Sequence, residues 1–554
     1  MTPLLEVRDL TVTAGGATLV DRACLTLEAG RRTGIIGESG AGKTMTALAV
    51  MGLLPDGVKA TGSVLLRGEE ILGRPDKEIA VRRGASMSMV FQEPMTALNP
   101  VMRIGRQIAE PLRIHGNMSR AAAAAAAVEL LRSVGVGRPE RRARSFPHEL
   151  SGGQRQRAVI AMALACGPNL VIADEPTTAL DATVQAQVLS VLRDQAAARG
   201  AALVLITHDL PVVASIAEKV IVMADGAIVE TGRAQDVFRA PAHEHTRRLV
   251  SAVPPMSRAT TIPPRRAAPP PGDDNIVEMR AVTKLYRLRK KSFTEPAPII
   301  RAVDGITLDV RRGETLGIVG ESGSGKSTLA RMMMGLERPT VGDIAVNGAP
   351  LHSKRGLRVD SKRRLRGARG VAQMVFQDPI GSLDPQMLVE DAVAEPLRSL
   401  RVAGDHGSRV RELLTSVSLP EGAGRRYPHE LSGGQRQRVA IARALAPEPR
   451  LLIADEPVSA LDMSVQAATL DLLDRLKREL ALTMVFISHD LSVIHEISDR
   501  VVVLEHGRVV ESGPAGSVFT DPRERHTRDL LAAIPRLDGG RLGSGPGPRQ
   551  RGPV

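Results

Sequence analysis

The sequence predicts an α/β protein made of two tandem copies of one domain, each built on a mostly parallel sheet with a helical portion. Three observations predict it. Apolar, β-branched runs such as residues 203–206 (LVLI) and 484–487 (MVFI) alternate with helical stretches, the pattern of strands covered on both faces by crossover helices. A set of glycine-rich and acidic motifs occurs twice, in the same order and at near-constant spacing. The length of 554 residues exceeds what one core ordinarily organises and suits two domains of about 200–250 residues.

The repeat is plain at the residue level. GESGAGKT at 37–44 returns as GESGSGKS at 320–327, and HELSGGQRQR at 148–157 returns at 429–438. IADEP at 172–176 returns at 453–457, and THDL at 207–210 matches SHDL at 488–491. Between the copies, prolines remove backbone donors and favour extended chain, so residues 254–275 read as an exposed, semi-stiff linker. The expected domains are therefore 1–253 and 276–536, followed by a Gly/Pro/Arg-rich tail, 537–554, expected to be disordered. Within the first copy, Ser119 before the alanine run 121–127 reads as the N-cap of a helix.

Composition narrows the class. A chain 43% hydrophobic and 24% charged is of the soluble globular type, and no stretch reaches the roughly 18 apolar residues of a membrane span. The most apolar run, around 158–166, is about half that length and reads as a packed helix. MTPLLEVRDL has no basic region followed by an apolar core, so a secretory signal is not expected. Cys24 and Cys166 make no disulfide framework or metal-cluster spacing, which suits a reducing cytoplasm. The net charge of +13 comes mostly from dispersed arginine, and with 2% aromatics there are few stacking platforms for single strands. A nucleic-acid partner is not expected. A basic surface beside anionic lipid would also fit this composition.

Both glycine-rich segments are G-x-x-x-x-G-K-[ST], preceded by an apolar run and followed by helix-forming residues, which is the context of a P-loop. The first consists of Gly37, Glu38, Ser39, Gly40, Ala41, Gly42, Lys43 and Thr44. The second consists of Gly320, Glu321, Ser322, Gly323, Ser324, Gly325, Lys326 and Ser327, with Thr328 next. The glycines let backbone N–H groups curl around phosphate oxygens, and the following helix adds its positive end. Lys43 and Lys326 reach the β- and γ-phosphates, while Thr44 and Ser327 offer hydroxyls to Mg²⁺. A chance glycine turn before a helix explains neither the repeat nor the context. Residues 170–175 (LVIADE) and 451–456 (LLIADE) read as buried strands ending in two acids. Asp174 and Asp455 would hold the metal. Glu175 and Glu456, one residue on, would orient and activate the attacking water.

A P-loop followed by an acidic strand end describes many NTPases. LSGGQ, at 150–154 and 431–435, is more specific, and with it the chain resembles the ABC ATPase family over nearly all of both copies. The resemblance extends to the loop glutamines Gln92 and Gln377, the Ala-Leu-Asp loops ending at Asp181 and Asp462, and the switch histidines His208 and His489. It implies a head-to-tail sandwich with ATP at each interface. Lys43 would share its nucleotide with Ser432, Gly433, Gly434 and Gln435, and Lys326 with Ser151, Gly152, Gly153 and Gln154. It also sets Gln92 and Gln377 at the Mg²⁺ and the attacking water, and His208 and His489 at the γ-phosphate. A lone histidine is more often structural, but each of these follows an apolar run and precedes Asp-Leu.

Serine and two glycines at a helix N-terminus make a second anion site, so the γ-phosphate would hold the halves together and hydrolysis would release them. The family stacks adenine on an aromatic residue upstream of the P-loop. Tyr286, in VTKLY, fits that place in the second copy, whereas LTVTAGG in the first puts Ala14 there. Base stacking is worth ~1–3 kcal/mol, so two hydrolytic sites of unequal ATP affinity are expected.

VFQEPMTALNP (90–100) and VFQDPIGSLDP (375–385) resemble ATPases of dipeptide, oligopeptide and nickel importers. PAHEHTRRLVSAVP (241–254) and DPRERHTRDLLAAIP (521–535) resemble that subfamily's C-terminal element, with Glu-His and Arg-His replacing its Pro-Tyr pair. The resemblance implies a fused ATPase, peripheral on the cytoplasmic face of the membrane, driving import of di- or oligopeptides. It would sit on two membrane permease subunits, docked at the Gln loops, and be served by an extracytoplasmic solute-binding protein. The implied cofactors are ATP and Mg²⁺. Members that carry an iron–sulfur cluster use C-terminal cysteines absent here, so no cluster is expected. Nickel or a glutathione-like solute is an alternative cargo, and a tandem translation factor an alternative class. Against the latter stands the proline-broken linker, where those proteins carry a long charged helix. No sustained heptads separate Lys43 from Ser151 or Lys326 from Ser432, which speaks against chromosome and repair ATPases. The linker leaves pairing within one chain or between two open.

Overall fold

Both copies open on an alternating sequence that folds as a hairpin. β1 (Leu5–Ala14) buries Leu5, Val7, Leu10 and Val12 on one side. It turns at Gly15 and Gly16, whose positive φ angles of 56° and 88° suit glycine, into β2 (Ala17–Leu27). With β4 (Val58–Leu66) and β5 (Glu69–Glu70) these make an antiparallel sheet in the order β2-β1-β4-β5. The parallel sheet expected from the apolar runs lies beneath it. β3 (Arg32–Ile36), β6 (Met87–Val90), β7 (Leu170–Asp174), β8 (Ala202–Ile206) and β9 (Lys219–Ala224) run parallel. An antiparallel edge, β10 (Ala227–Arg233), completes the order β10-β9-β3-β8-β7-β6.

The continuous apolar character of these strands has a direct cause. Along β7, Val171 and Ala173 face the helical layer, while Leu170 and Ile172 face the antiparallel sheet. Both faces are covered, so no position is left for a polar residue until Asp174. The antiparallel layer was not among the sequence expectations, because its strands bury only alternate residues and leave no apolar run.

The helical portion includes Ile104–Ile114, Arg120–Ser133 and the helix Gly152–Ala163 that carries the LSGGQ motif. Ser119 caps the second as expected, its Oγ accepting from Ala122 N at 3.2 Å. Ala123, Ala127 and Leu131 form its buried face, where the small side chains let it pack closely on its neighbours. The apolar stretch 158–166 is the buried part of the Gly152–Ala163 helix and the turn beyond it, with Cys166 half-buried.

The second copy repeats the plan. β11 (Asn275–Arg287), β12 (Ile299–Arg311), β14 (Val341–Val346) and β15 (Ala349–His352) form the antiparallel sheet. β16 (Ala372–Val375), β17 (Leu451–Asp455), β18 (Thr483–Ile487), β13 (Thr315–Gly320), β19 (Arg500–Glu505) and β20 (Arg508–Pro514) lie in that order in the second. This computed structural model describes residues 3–177, 180–254, 274–287, 299–352, 361–459 and 461–537. The expected linker and tail fall, apart from their edges, outside the described residues. Among the described residues no helix is long and apolar enough to cross a membrane.

Candidate functional site

The predicted site residues carried by the parallel sheet lie at or just past the carboxyl ends of its strands. The P-loop follows β3, Gln92 follows β6, Glu175 follows β7 and His208 follows β8. The second copy matches this with β13, β16, β17 and β18. Strand polarity thus gathers four sequence-distant segments on one edge, where open α/β sheets hold their ligands.

The first P-loop curls over its own lysine. Gly37, at φ 156°, has no room for a side chain, since a Cβ there would lie 2.3 Å from Met223 O. Gly42, at φ 91°, caps the helix Lys43–Met51, and a Cβ on it would approach Leu19 O to 2.7 Å. Lys43 is buried and its Nζ donates to Gly37 O at 2.8 Å and Glu38 O at 2.7 Å. Burial pushes its pKa down, although Glu175, Asp174 and Asp462 favour the charged form. Lys326 repeats the arrangement, donating to Gly320 O at 2.7 Å and Glu321 O at 2.9 Å.

The two acids at each strand end differ in their surroundings. Asp174 is 2% exposed, and burial raises its carboxyl to about 6 against the opposing hydrogen bond from Thr44. Its Oδ1 is buried without a hydrogen-bond partner among the described residues. In the second copy Ser327 Oγ donates to Asp455 Oδ1 at 3.1 Å, and burial again raises the carboxyl. A hydroxyl beside a carboxylate, with a buried oxygen still unmatched, is a donor set that fits a hard divalent cation at the edge of a phosphate cradle.

Glu175 and Glu456 sit one residue on, in left-handed backbone at φ 44° and 49°. Such a conformation costs a non-glycine residue about 1–3 kcal/mol and turns the side chain out of the strand register. Glu175 Oε1 lies 2.9 Å from His208 Nδ1, and Gln92 Nε2 donates to Oε2 at 3.4 Å. Glu456 lies 3.2 Å from His489 Nδ1 and accepts from Gln377 Nε2 at 2.8 Å. Burial works against charge on both histidines, yet the glutamate hydrogen bond and charge prevail and raise them above their ordinary value. Burial likewise opposes the Glu456 charge, but His489 and Lys326 hold it below the usual carboxylate range. Each copy therefore brings its glutamine, glutamate and histidine into one chain of hydrogen bonds above the P-loop.

The signature serines cap their helices. Ser151 Oγ accepts from Gln154 N at 3.4 Å while Gln154 Oε1 accepts from Ser151 N at 3.3 Å; Ser432 and Gln435 repeat this at 3.3 and 3.1 Å. Both signature serines remain exposed. A Cβ on Gly433 would meet open space and one on Gly152 ordinary contact with Leu180 Cδ2 at 3.6 Å, whereas a Cβ on Gly153 or Gly434 would lie 2.4 Å from Val184 Cγ1 or 2.5 Å from Val465 Cγ1. Those valines stand in the first turn of the helices Ala182–Ala198 and Met463–Glu479, so each signature is seated on the start of its own copy's next helix.

Those helix starts join the copies. Asp181 Oδ1 caps its helix by accepting from Val184 N at 3.0 Å, while its Oδ2 accepts from Ser322 N of the other P-loop at 3.2 Å. Asp462 does the same, with Val465 N at 3.2 Å and Ser39 N at 3.4 Å. The contacts are reciprocal and lie within one chain. They bring each P-loop to the neighbourhood of the other copy's signature helix. The sequence marked both aspartates but not this second oxygen, because an N-cap aspartate is already accounted for by its own helix. It also missed Asp209, a half-buried acid that caps Val212 N at 3.2 Å and accepts from Gln185 Nε2 at 3.3 Å.

Tyr286 lies near the end of β11 opposite Ile300, with the Lys284 ammonium 5.0 Å from its ring centroid. β12 abuts the second P-loop, since a Cβ on Gly325 would lie 2.3 Å from Ala302 O. In the first copy the same register brings Ala14 opposite Ala17 at the two-glycine turn. Tyr286 and Ala14 thus occupy matching places in the two copies and differ in residue type.

Fold and site together define an ATP-binding NTPase with two P-loop cradles, each facing the other copy. The chain belongs to the ABC transporter family, whose model matches residues 20–178 and 303–459. A second model, the oligopeptide/dipeptide transporter C-terminal region, matches 229–277 and 510–553. Among relatives, the peptidoglycan transport ATP-binding protein YejF of Agrobacterium fabrum is 44% identical, covering 96% of either chain. The oligopeptide transport ATP-binding protein OppD of Mycobacterium tuberculosis is 41% identical, over 98% of this chain and 100% of its own. The glutathione import ATP-binding protein GsiA of Escherichia coli is 42% identical, over 92% and 85%.

Proposed function

We propose that this chain is the energy-coupling ATPase of a peptide-class importer, with both nucleotide sites formed between its two copies. The observation that carries the reading is the reciprocal pair Asp181–Ser322 and Asp462–Ser39, which couples each P-loop to the opposite copy. Residues 1–253 and 276–536 are the two ATPase domains on this reading, joined by 254–275. Lys43 and Lys326 hold the β- and γ-phosphates, exchanging their carbonyl partners for phosphate oxygens. Thr44 with Asp174, and Ser327 with Asp455, would hold Mg²⁺, aided by Gln92 and Gln377, and the ion would neutralise charge developing on the phosphates.

Glu175 and Glu456 orient the attacking water and take up its proton. Their bonds to Gln92 and His208, or Gln377 and His489, fix where each carboxylate points. His208 and His489, held toward their charged form, meet the γ-phosphate as donors. The exposed signature serines and the helix N-termini behind them complete each anion site from the other side. Closure then needs the γ-phosphate, and its loss releases the halves. Tyr286 stacks on adenine in the second site, and Ala14 leaves the first with weaker ATP binding.

The partners on this reading are two membrane permease subunits, met at the Gln92 and Gln377 loops, and an extracytoplasmic solute-binding protein. The chain itself rests peripherally on the cytoplasmic face. The C-terminal match favours peptides as cargo over nickel. Co-purification of the full chain with permeases encoded beside it, followed by ATP-dependent uptake of labelled peptides into proteoliposomes, tests the assignment. Failure to join membranes, with co-sedimentation on ribosomes instead, would overturn it.

A further inference from the structure

The site explains how nucleotide draws the copies together, but not what joins them when nucleotide leaves. Beyond β10 and β20, each copy continues through a short helix into a C-terminal one, Glu244–Ala252 and Arg525–Ala532. Neither contributes to a P-loop, a signature or an acid. Each is anchored at its start to its own copy. Glu230 accepts from Ala242 N at 2.9 Å and His243 N at 3.0 Å, and Glu511 accepts from Arg523 N at 2.9 Å and Glu524 N at 3.3 Å. Thr246 and Thr527 are buried against the same copies.

Both helices lean on the opposite copy. Glu244–Ala252 packs against the second copy's Met463–Glu479, and Arg525–Ala532 against the first copy's Ala182–Ala198. The receiving helices are the two that Asp462 and Asp181 cap. Past their ends, Pro254 from one copy and Ile534 with Pro535 from the other line a single cavity between the copies, together with His208 and His489. Leu537 goes further and packs, with Met463, against the hydrophobic core of the first copy.

We propose that the two C-terminal segments form a reciprocal clasp that holds the ATPase copies together whether or not nucleotide is bound. Its occupant on each side is the other copy of the same chain. Its apolar contacts at Met463 and Leu537, beside Ile534 on the shared cavity, involve no phosphate, so loss of ATP leaves them intact. The signature faces then open about a joined end rather than separating, and each C-terminal segment rides on the helix that carries the opposite nucleotide contact.

The test uses the full chain with a protease site placed within residues 255–273, cut after purification and run on size exclusion in nucleotide-free buffer with chelator. The clasp predicts that the cut halves co-elute at the mass of the intact chain. With Ile534→Asp and Leu537→Asp combined, the halves elute separately, while Asp181→Ala with Asp462→Ala leaves them joined. Separation of unaltered halves without nucleotide overturns the proposal. So does a pair of halves that the Ile534/Leu537 change leaves together, or that the Asp181/Asp462 change alone separates.

Discussion

Replacing Glu175 or Glu456 by glutamine separates chemistry from architecture. Glutamine keeps the length and the hydrogen bonds: its amide oxygen accepts from Gln92 or Gln377, and its amide nitrogen donates to a neutral His208 or His489. What it loses is the ability to take a proton from water. General-base catalysis contributes roughly 10²–10⁴-fold, or about 2.7–5.5 kcal/mol at ~1.36 kcal/mol per tenfold. With both changes made, steady-state phosphate release should fall by that factor while ATP binding persists.

The single changes carry more information. Because Asp462 joins the first P-loop to the second copy and Asp181 the reverse, one closure serves both sites. Either single variant should therefore retain well under half of the wild-type turnover. The assay is phosphate release at saturating ATP, beside nucleotide binding measured by equilibrium dialysis. Turnover at the wild-type rate in each single variant would refute the base assignment. Half the wild-type rate in each would refute the coupling.

Ala14→Tyr should tighten ATP binding at the first site by ~1–3 kcal/mol, roughly 5- to 150-fold, read by titration in a Lys326→Ala background; an unchanged Kd removes the account of the asymmetry. Gly434→Ala drives a Cβ to 2.5 Å from Val465 Cγ1, so it should impair ATP-dependent closure and turnover, with recovery in the Gly434→Ala/Val465→Ala pair. No recovery would mean that the signature glycine acts otherwise than by seating on that valine. Burial opposes the charge on Glu230, but the Ala242 and His243 amides help to hold its pKa below the ordinary 4.5. A depressed carboxyl stabilises the fold above its unfolded pKa and loses that contribution as pH falls. Glu230→Gln should thus lower the melting temperature at pH 7 and converge with wild type as pH drops below about 4.5; a pH-independent difference argues against the charge. Chelation of divalent cations should abolish phosphate release, with Mg²⁺ restoring it; turnover undiminished by chelation would remove the metal role of Asp174 and Asp455.

How much of this was legible in the sequence depended on whether a residue's role was local. The P-loop, acid, histidine and LSGGQ segments stood out because each is a short run with its own spacing, as where each signature serine caps the next turn of its helix. The buried strands were readable for a related reason, since residues such as Leu170 through Ala173 are covered from both sides and leave an unbroken apolar run. The antiparallel sheet was not, because β1 buries alternate residues and shows no such run. Roles that need two distant segments were hidden even where the residue itself stood out. Asp181 and Asp462 look complete as N-caps, and nothing nearby in sequence tells that their other oxygens reach Ser322 and Ser39. The C-terminal helices read only as a repeated element, since what they lean on lies in the other copy. These non-local contacts link the two similar domains, with the Asp181–Ser322 and Asp462–Ser39 pairs made within one chain.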